Sequence, residues 1–332
     1  VRVAVIGATG VVGETILRVL EERKVGVETL LAYASREREN AVTFHGASLP
    51  VAVATAERII ADRPHVAFFA SSDDASAEMA TALAGAGIVV IDNSSTFRLD
   101  PACPLVVPEV NPHAIRDEHR IFPVGNCTAI VLCVALAPIE AAVGLTSVRV
   151  ATYQAVSGAG RAGLEALAHE EAGASPDGTF AAPILHNVVP QVGSFSGVGD
   201  NGEEEKVAAE TRKTLGRPDL HVAATCVRVP VRRAHSEAVF FSTEAPTSVR
   251  ELGDALAAAA GVVFHDRGIV TPLDVEDTDV VHVARLRAEG ESETNFQMWV
   301  VGDQLRKGAA TNGVQILELL VRAGRFDAVS AG

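Results

Sequence analysis

From Val1 to Ser95 the chain alternates short apolar runs with helical patterns: VRVAVIG, VVGETILRVLEER, VETLLAYA, HVAFFA, DDASAEMATALAGAG and IVVIDNSS. Few arrangements bury all of these pieces, and the favoured one is a series of strand–helix–strand units on a parallel sheet. From Ser147 the pattern changes to longer alternating stretches, SVRVATYQAVS, HVAATCVRVPV, EAVFFSTEA, VVHVARLRAE and NFQMWVV. These predict an antiparallel or mixed sheet with fewer crossovers. With 332 residues the chain exceeds the length at which single cores stop growing, so two domains are expected. Within the second region lies Ala172–Gly202, with little periodicity and rich in Gly, Pro and Ser; a loop of that length is usually functional or part of an interface.

The net charge is −14 and no basic block occurs, which argues against a nucleic-acid or anionic-membrane surface. No stretch reaches the ~18 uninterrupted apolar residues of a membrane span, and VRVAVIG is strand-like without a charged leader. The four cysteines, Cys103, Cys127, Cys133 and Cys226, show no metal-binding spacing, so no metal is expected. A reducing, cytoplasmic setting follows as an expectation.

Gly7-Ala8-Thr9-Gly10-Val11-Val12-Gly13 sits between the first strand and the first helix, the context a dinucleotide fingerprint requires. Its glycines permit a tight turn, and the helix N-terminus offers free N–H groups to a pyrophosphate. The plain alternative is a strand-to-helix turn. Where a NAD site places an acid after the second strand, this chain has Ser35 and Arg36, a hydroxyl and a guanidinium suited to a 2′-phosphate. NADP is therefore favoured, with a solvated loop charge as the other reading of Arg36. Short-chain dehydrogenases and epimerases need Tyr-x-x-x-Lys, but Glu37 and Ser157 follow Tyr33 and Tyr153 at that spacing.

In FPVGNCTAIVLCVALAPI, Asn126 is a favoured N-cap and places Cys127 in the first turn of a buried helix. There the helix dipole favours a thiolate, the reactive form. Cys133 would lie ~9 Å further along the axis, too far for a disulfide, whose Cα atoms approach within about 7 Å. It reads as a small apolar core residue.

The chain resembles the aspartate-semialdehyde dehydrogenase family through GATGVVG at 7–13, ASR at 34–36, DNSSTFRLD at 92–100, VVPEVNP at 106–112, GNCT at 125–128, TYQAVSGAG at 152–160, EEEKVAAETRKTLG at 203–216, CVRVPVRRAHSEAV at 226–239 and WVVGDQLRKGAATNGVQI at 299–316. The resemblance implies an α/β fold: an N-terminal Rossmann-type parallel-sheet domain over 1–127, completed by a helix at 304–325. A catalytic and dimerisation domain like that of glyceraldehyde-3-phosphate dehydrogenase would span 128–303. It implies a homodimer or homotetramer that reduces aspartyl 4-phosphate to the semialdehyde in biosynthesis of the aspartate-family amino acids. NADP would be the cofactor and inorganic phosphate the second substrate.

By the same resemblance Cys127 is the nucleophile, His235 the acid/base group, for which a near-neutral pKa is suited, and Gln154 the group that orients the intermediate. Arg228 would grip the substrate carboxylate, a task for its bidentate fork. Glu203 and Lys206 would meet the substrate amine and the phosphate from one face of a helix start, and Arg98 and Asn126 complete the substrate and phosphate set. Cofactor contacts are implied at Gly7, Thr9, Gly10, Val11, Val12, Gly13, Ser35, Arg36, Ser71, Ser157, Gly158 and Asn312. The chain departs from the family pattern at Ser71-Ser72-Asp73-Asp74, at Val124-Gly125 before Asn126 and at Gly302-Asp303-Gln304. These departures point to an altered cofactor pocket or a shifted substrate. The rival readings are an N-acetyl-glutamyl-phosphate reductase-like enzyme and a non-catalytic NADP-binding homologue.

Overall fold

The computed structural model describes residues 1–36, 41–195 and 201–326, so Glu37–Asn40 and residues 196–200 of the predicted long loop lie outside the described residues. The chain falls into two units, residues 1–125 with Ala309 onward, and Asn126–Gly308.

The first unit runs β1 (Arg2–Ile6), α1 (Val11–Glu22), β2 (Thr29–Ala34), β3 (Ala41–Phe44), β4 (Ala47–Val53), α2 (Ala56–Asp62), β5 (Val66–Phe69), α3 (Asp73–Gly85), β6 (Val89–Asp92) and β7 (Ile121–Pro123). The strand order is β3-β4-β2-β1-β5-β6-β7. Six strands are parallel in the doubly wound order, and β3 adds to the edge antiparallel to β4. The β3–β4 hairpin closes at His45-Gly46, both with positive φ (49° and 76°), as a tight two-residue hairpin turn requires. Apart from Arg2 and Asp92, strands β1, β5 and β6 are apolar and almost fully buried, as befits a sheet covered on both faces.

The second unit runs α4 (Cys127–Val143), β8 (Leu145–Gln154), α5 (Gly160–Glu171), α6 (Gly202–Leu215), β9 (His221–Arg228), β10 (His235–Thr243), α7 (Val249–Ala258), β11 (Val262–His265), α8 (Pro272–Val275), β12 (Val281–Ala288) and β13 (Asn295–Gly302). Its mixed sheet has the order β11-β12-β13-β10-β8-β9, with β8–β9 and β11–β12 parallel. Helix α4 lies on the inner face together with α6 and α7. Ile130, Val131, Leu132, Val134, Leu136 and Ile139 of α4 are all buried, each worth about 1.5–3 kcal/mol. On the outer face of the sheet Tyr153 and Phe240 stay partly exposed.

Two local expectations change. Arg228 and His235 look like one strand region in sequence, but they belong to β9 and β10, with β8 between them. The helix predicted over 304–325 starts instead with a π-helical turn, Arg306–Ala310, and continues as α9 (Thr311–Arg322).

Candidate active site

Asn126 caps α4 by accepting the N–H groups of Thr128 (3.0 Å) and Ala129 (3.2 Å), so Cys127 occupies the first helical position, as the sequence predicts. The cap is itself braced: its side-chain amide donates to Glu203 Oε1 at 2.8 Å, and its backbone N–H donates to the buried Glu210 carboxylate. Cys127 is half-buried, whereas Cys133 is wholly enclosed and burial pushes its thiol up to about 12. None of the four cysteines forms a disulfide. Gly308, in the π-helical turn, lies against Cys127: a Cβ there would come within 2.9 Å of the Cys127 Cβ. The glycine is what lets that turn sit beside the thiol, and π-turns recur at functional sites.

The strand register lines up the remaining candidates. Gln154 on β8 pairs with Arg228 on β9, and Ser236 and Glu237 on β10 pair with Tyr153 and Thr152. Continuing that register sets His235 level with Gln154, so Arg228, Gln154 and His235 form one rung on the inner face. Gln154 Nε2 donates to Glu203 Oε1 (2.9 Å) and to Thr128 Oγ1 (3.0 Å), which ties the rung to the start of α4 and to α6. Two rungs further in, on the same face, stand Cys226, Thr152 and Glu237.

Arg228 is 6% exposed, donates to the Ala155 carbonyl at 2.7 Å and leaves its Nε buried without a partner. Burial weakens its hold on its proton, while Cys127, Glu203 and Cys226 act on it in the opposite sense. The Phe180 ring lies 5.8 Å from the guanidinium carbon, close enough for a cation–π contact. His235 is fully buried, and burial first, then Arg228, push its pKa well below 6.5. The near-neutral pKa expected for His235 therefore does not hold: a desolvated imidazole beside a guanidinium stays neutral. Lys206 lies one turn beyond Glu203 on α6, partly exposed and without a carboxylate partner among the described residues.

The second unit also accounts for one departure from the family pattern. Ala234, just before His235, has φ 66°, a left-handed conformation that costs about 1–2 kcal/mol in a non-glycine residue. Gln304 accepts the Ala234 N–H at 2.8 Å, and its amide donates to Ser157 Oγ, so it braces both segments flanking the histidine. Gly302 lies so close to α4 that a Cβ there would be 2.7 Å from Val131 Cγ2. Gly158 borders the rung, since a Cβ on it would be 2.7 Å from Arg228 Nη1 and 3.3 Å from His235 Nε2.

In the first unit the glycine loop is built for close approach. A Cβ on Gly7 would stand 2.2 Å from the Ala70 carbonyl oxygen, and one on Gly13 would stand 2.2 Å from the Gly7 carbonyl oxygen. Gly10 is the N-cap of α1 and supplies no side-chain acceptor, which leaves the first amides, at Val11 and Val12, for a ligand. Thr9 lies in the same turn. Ser71 Oγ is buried and unpartnered. A cradle no Cβ could enter and an orphaned hydroxyl fit a nucleotide phosphate. Ser35 and Arg36 are exposed at the carboxyl end of β2. Asn312 is buried and donates to the Val106 carbonyl at 2.9 Å, while Arg98 donates to the Val124 (2.9 Å) and Asn93 (2.8 Å) carbonyls. The altered 71–74 loop caps α3 through Ser72 and ties Asp73 to Ser95, and a Cβ on Gly313 would stand 3.5 Å from Val124 Cγ2. Among the described residues no cluster of His, Cys, Asp and Glu suits a metal, and no helix is long and apolar enough to cross a membrane.

Comparison with known proteins gives two adjoining matches, "Semialdehyde dehydrogenase, NAD binding domain" over residues 2–118 and "Semialdehyde dehydrogenase, dimerisation domain" over 136–307. Aspartate-semialdehyde dehydrogenase 2 of Vibrio cholerae is 43% identical over 96% of this chain and 97% of its own length. The chain belongs to the aspartate-semialdehyde dehydrogenase family. Another member, from Aquifex aeolicus, is 42% identical over 97% of this chain and 98% of its own. A crystal structure of aspartate semialdehyde dehydrogenase II from Vibrio cholerae, 42% identical, superposes with a TM-score of 0.92 over 97% of this chain and 98% of that one. The same enzyme has been solved complexed with ASA, again with a TM-score of 0.92, over 96% and 98% of the two chains. Within this aspartate-semialdehyde dehydrogenase frame the structure adds residues that sequence reasoning missed. Thr128 anchors Gln154, Glu210 holds the cap, and Phe180 faces Arg228; only Phe180, inside the predicted long loop, had any signal.

Proposed function

We propose that the chain interconverts aspartate 4-semialdehyde and phosphate with aspartyl 4-phosphate, using NADP, through a thioester on Cys127. The observation that supports it most is a thiol at a capped helix start on the same unit as the Arg228–Gln154–His235 rung. The Cys127 thiolate attacks the aldehyde carbon, and His235 Nε2 meets the oxygen that becomes tetrahedral. Arg228, with its orphaned Nε, receives the substrate carboxylate. Glu203, held by Asn126 and Gln154, faces the amine, a carboxylate that an N-acetylated substrate would have no use for. Lys206, on the same unit as Cys127, attracts the phosphate that releases the acyl group. The glycine cradle, Ser71, the Ser35–Arg36 pair and Asn312, all on the first unit, would hold the cofactor. When bound, the nicotinamide accepts or supplies the hydride.

A dimerisation domain marks this family as oligomeric, and the exposed Tyr153 and Phe240 on the outer face of the second sheet support a homodimer. Cysteines without disulfides accord with the cytoplasm. The deciding assay follows reduced-nicotinamide formation from the semialdehyde with and without phosphate, with NADP and with NAD, and with N-acetyl-glutamate semialdehyde as competitor. Phosphate-dependent NADPH formation specific to aspartate semialdehyde is expected, with Arg36→Ala raising KM for NADP alone. Preference for the acetylated substrate, or no turnover, would overturn the reading.

A further inference from the structure

The glycine cradle lies at the carboxyl ends of β1 and β5, the edge at which open parallel sheets receive their ligands. The opposite edge of the same sheet carries a second concavity. Strands β5, β6 and β7 are parallel, so the residues that precede them, His65, Ile88 and Arg120, stand side by side. Val89 N–H donates to the His65 carbonyl at 3.0 Å, and Val90 N–H to the Arg120 carbonyl at 2.7 Å. Together with Arg63 after α2 and with Arg325 and Phe326 after α9, they line a pocket of about 510 Å³, within the range of small-ligand sites. All of it belongs to the first unit. At ~3.3 Å per residue, the 4 residues of β5 keep it on the order of 13 Å from the cradle.

The charge of its wall singles the pocket out. The chain carries 42 acids against 28 lysines and arginines, yet this wall holds three arginines, a histidine and no acid. Arg120 Nη1 donates to the carbonyls of Asp117 (2.6 Å) and His119 (3.1 Å). Arg325 donates to that same His119 carbonyl and to the Arg116 carbonyl at 3.1 Å. One oxygen therefore gathers two guanidinium groups, although like charges repel. Burial first, then Arg120, weakens the hold of Arg325 on its proton. The acids acting on Arg325, Asp117 and Glu118, are both exposed, and Asp117 Oδ1 lies 3.7 Å from Arg325 Nη1. Arg63 joins the pair from the left-handed C-cap of α2 (φ 48°), a position that glycine usually takes. The rest of the wall is largely apolar: Ile60, Ile88 and Phe326, whose ring stacks on His65 with centroids 6.1 Å apart. His65 Nδ1 accepts the Arg2 N–H at 3.1 Å, and burial lowers the pKa of the ring, so His65 adds a neutral N–H donor at Nε2.

We propose that this pocket binds an organic phosphate monoester, with its dianionic head on Arg120 and Arg325, Arg63 as a third cation, and its apolar body against Ile60, Ile88 and Phe326. Two guanidinium forks match the charge and the oxygens of such a head. Inorganic phosphate would leave the apolar wall wet, and an uncharged apolar molecule would leave the arginine pair uncompensated. The site stands apart from the cofactor cradle and does not depend on the thioester reading.

The test uses the full chain saturated with NADP, with phenyl phosphate as the probe at pH 8, where the head carries nearly two charges. Hydrogen exchange should slow in peptides covering residues 86–89 and 116–121. Calorimetry should give a Kd below about 1 mM, with inorganic phosphate at least about tenfold weaker. Arg120→Ala should raise the Kd for phenyl phosphate at least about tenfold. Arg63→Ala, an exposed position, should raise it about threefold with unaltered melting and unaltered turnover of the semialdehyde; should Arg120→Ala unfold, this variant decides alone. Absence of slowed exchange at both segments, an unchanged Kd in the folded variants, or inorganic phosphate binding as tightly as phenyl phosphate would overturn the proposal. The exchange and binding readouts need no turnover, so their failure is separate from failure of the catalytic reading.

Discussion

Gly158→Ala would insert one methyl group between the two sides of the site. Its Cβ would stand 2.7 Å from Arg228 Nη1, 3.2 Å from His235 Cε1 and 3.3 Å from His235 Nε2. Gly158 has no left-handed φ, so the backbone accepts alanine without strain. Carbon contacts settle near 3.5 Å, so the guanidinium must withdraw by about 0.8 Å and the ring by a few tenths of an ångström. The Arg228–Ala155 bond, now 2.7 Å, would stretch to the edge of what counts as a hydrogen bond. A misplacement near 1 Å can cost on the order of 100-fold in rate, and we expect kcat/KM for the semialdehyde to fall about 30–100-fold. Most of the loss should fall on KM, because Arg228 moves further than His235. Steady-state kinetics together with thermal unfolding checks this; stability should change by no more than about 1–3 kcal/mol, the scale of one hydrogen bond from a charged group. A folded variant with unaltered KM would refute the placement of Arg228 at the substrate.

Two further perturbations address other parts of the unit. Gly308→Ala brings a Cβ within 2.9 Å of the Cys127 Cβ, so iodoacetamide labelling of Cys127 should change severalfold and kcat should drop about tenfold; wild-type values for both would show that the close approach is immaterial. Glu237→Gln should flatten the dependence of stability on pH. The folded pKa of Glu237 is raised above 4.5, so as pH climbs from there towards the folded value the unfolded chain releases a proton that the native state retains, and stability falls by about 1.4 kcal/mol per pH unit. Melting curves from pH 4 to 8 should show that decline in the wild type and lose it in the variant, and equal slopes would contradict the neutral buried carboxyl.

How much of this was legible in the sequence depends on how local each cause is. The β1–α1 turn, α3 and the start of α4 were readable because glycines, caps and apolar runs act within a few residues. The β3–β4 hairpin and α2 were not, since AVTF and AERIIAD are short and only partly apolar. Arg228 and His235 read as neighbours, yet VPVRRA carries the chain past β8, and only the register shows Gln154 between them. The electrostatics of His235 were out of reach for the same reason, because its Nδ1 partner is a backbone N–H at the end of another strand. Glu210 and Glu237 look like ordinary surface acids in ETRK and HSEAV, and only packing against α4 and the sheet makes them interior. Gln304 bonds both Ala234 and Ser157, two partners far apart in sequence.

The central claim is the covalent intermediate on Cys127, and rapid mixing of enzyme, cofactor and semialdehyde without phosphate tests it most directly. The account predicts a burst of about one reduced nicotinamide per active site, with the acyl mass on the peptide containing Cys127 and released by added phosphate. A burst that survives in Cys127→Ala, or an acyl group mapped to any other residue, would contradict it.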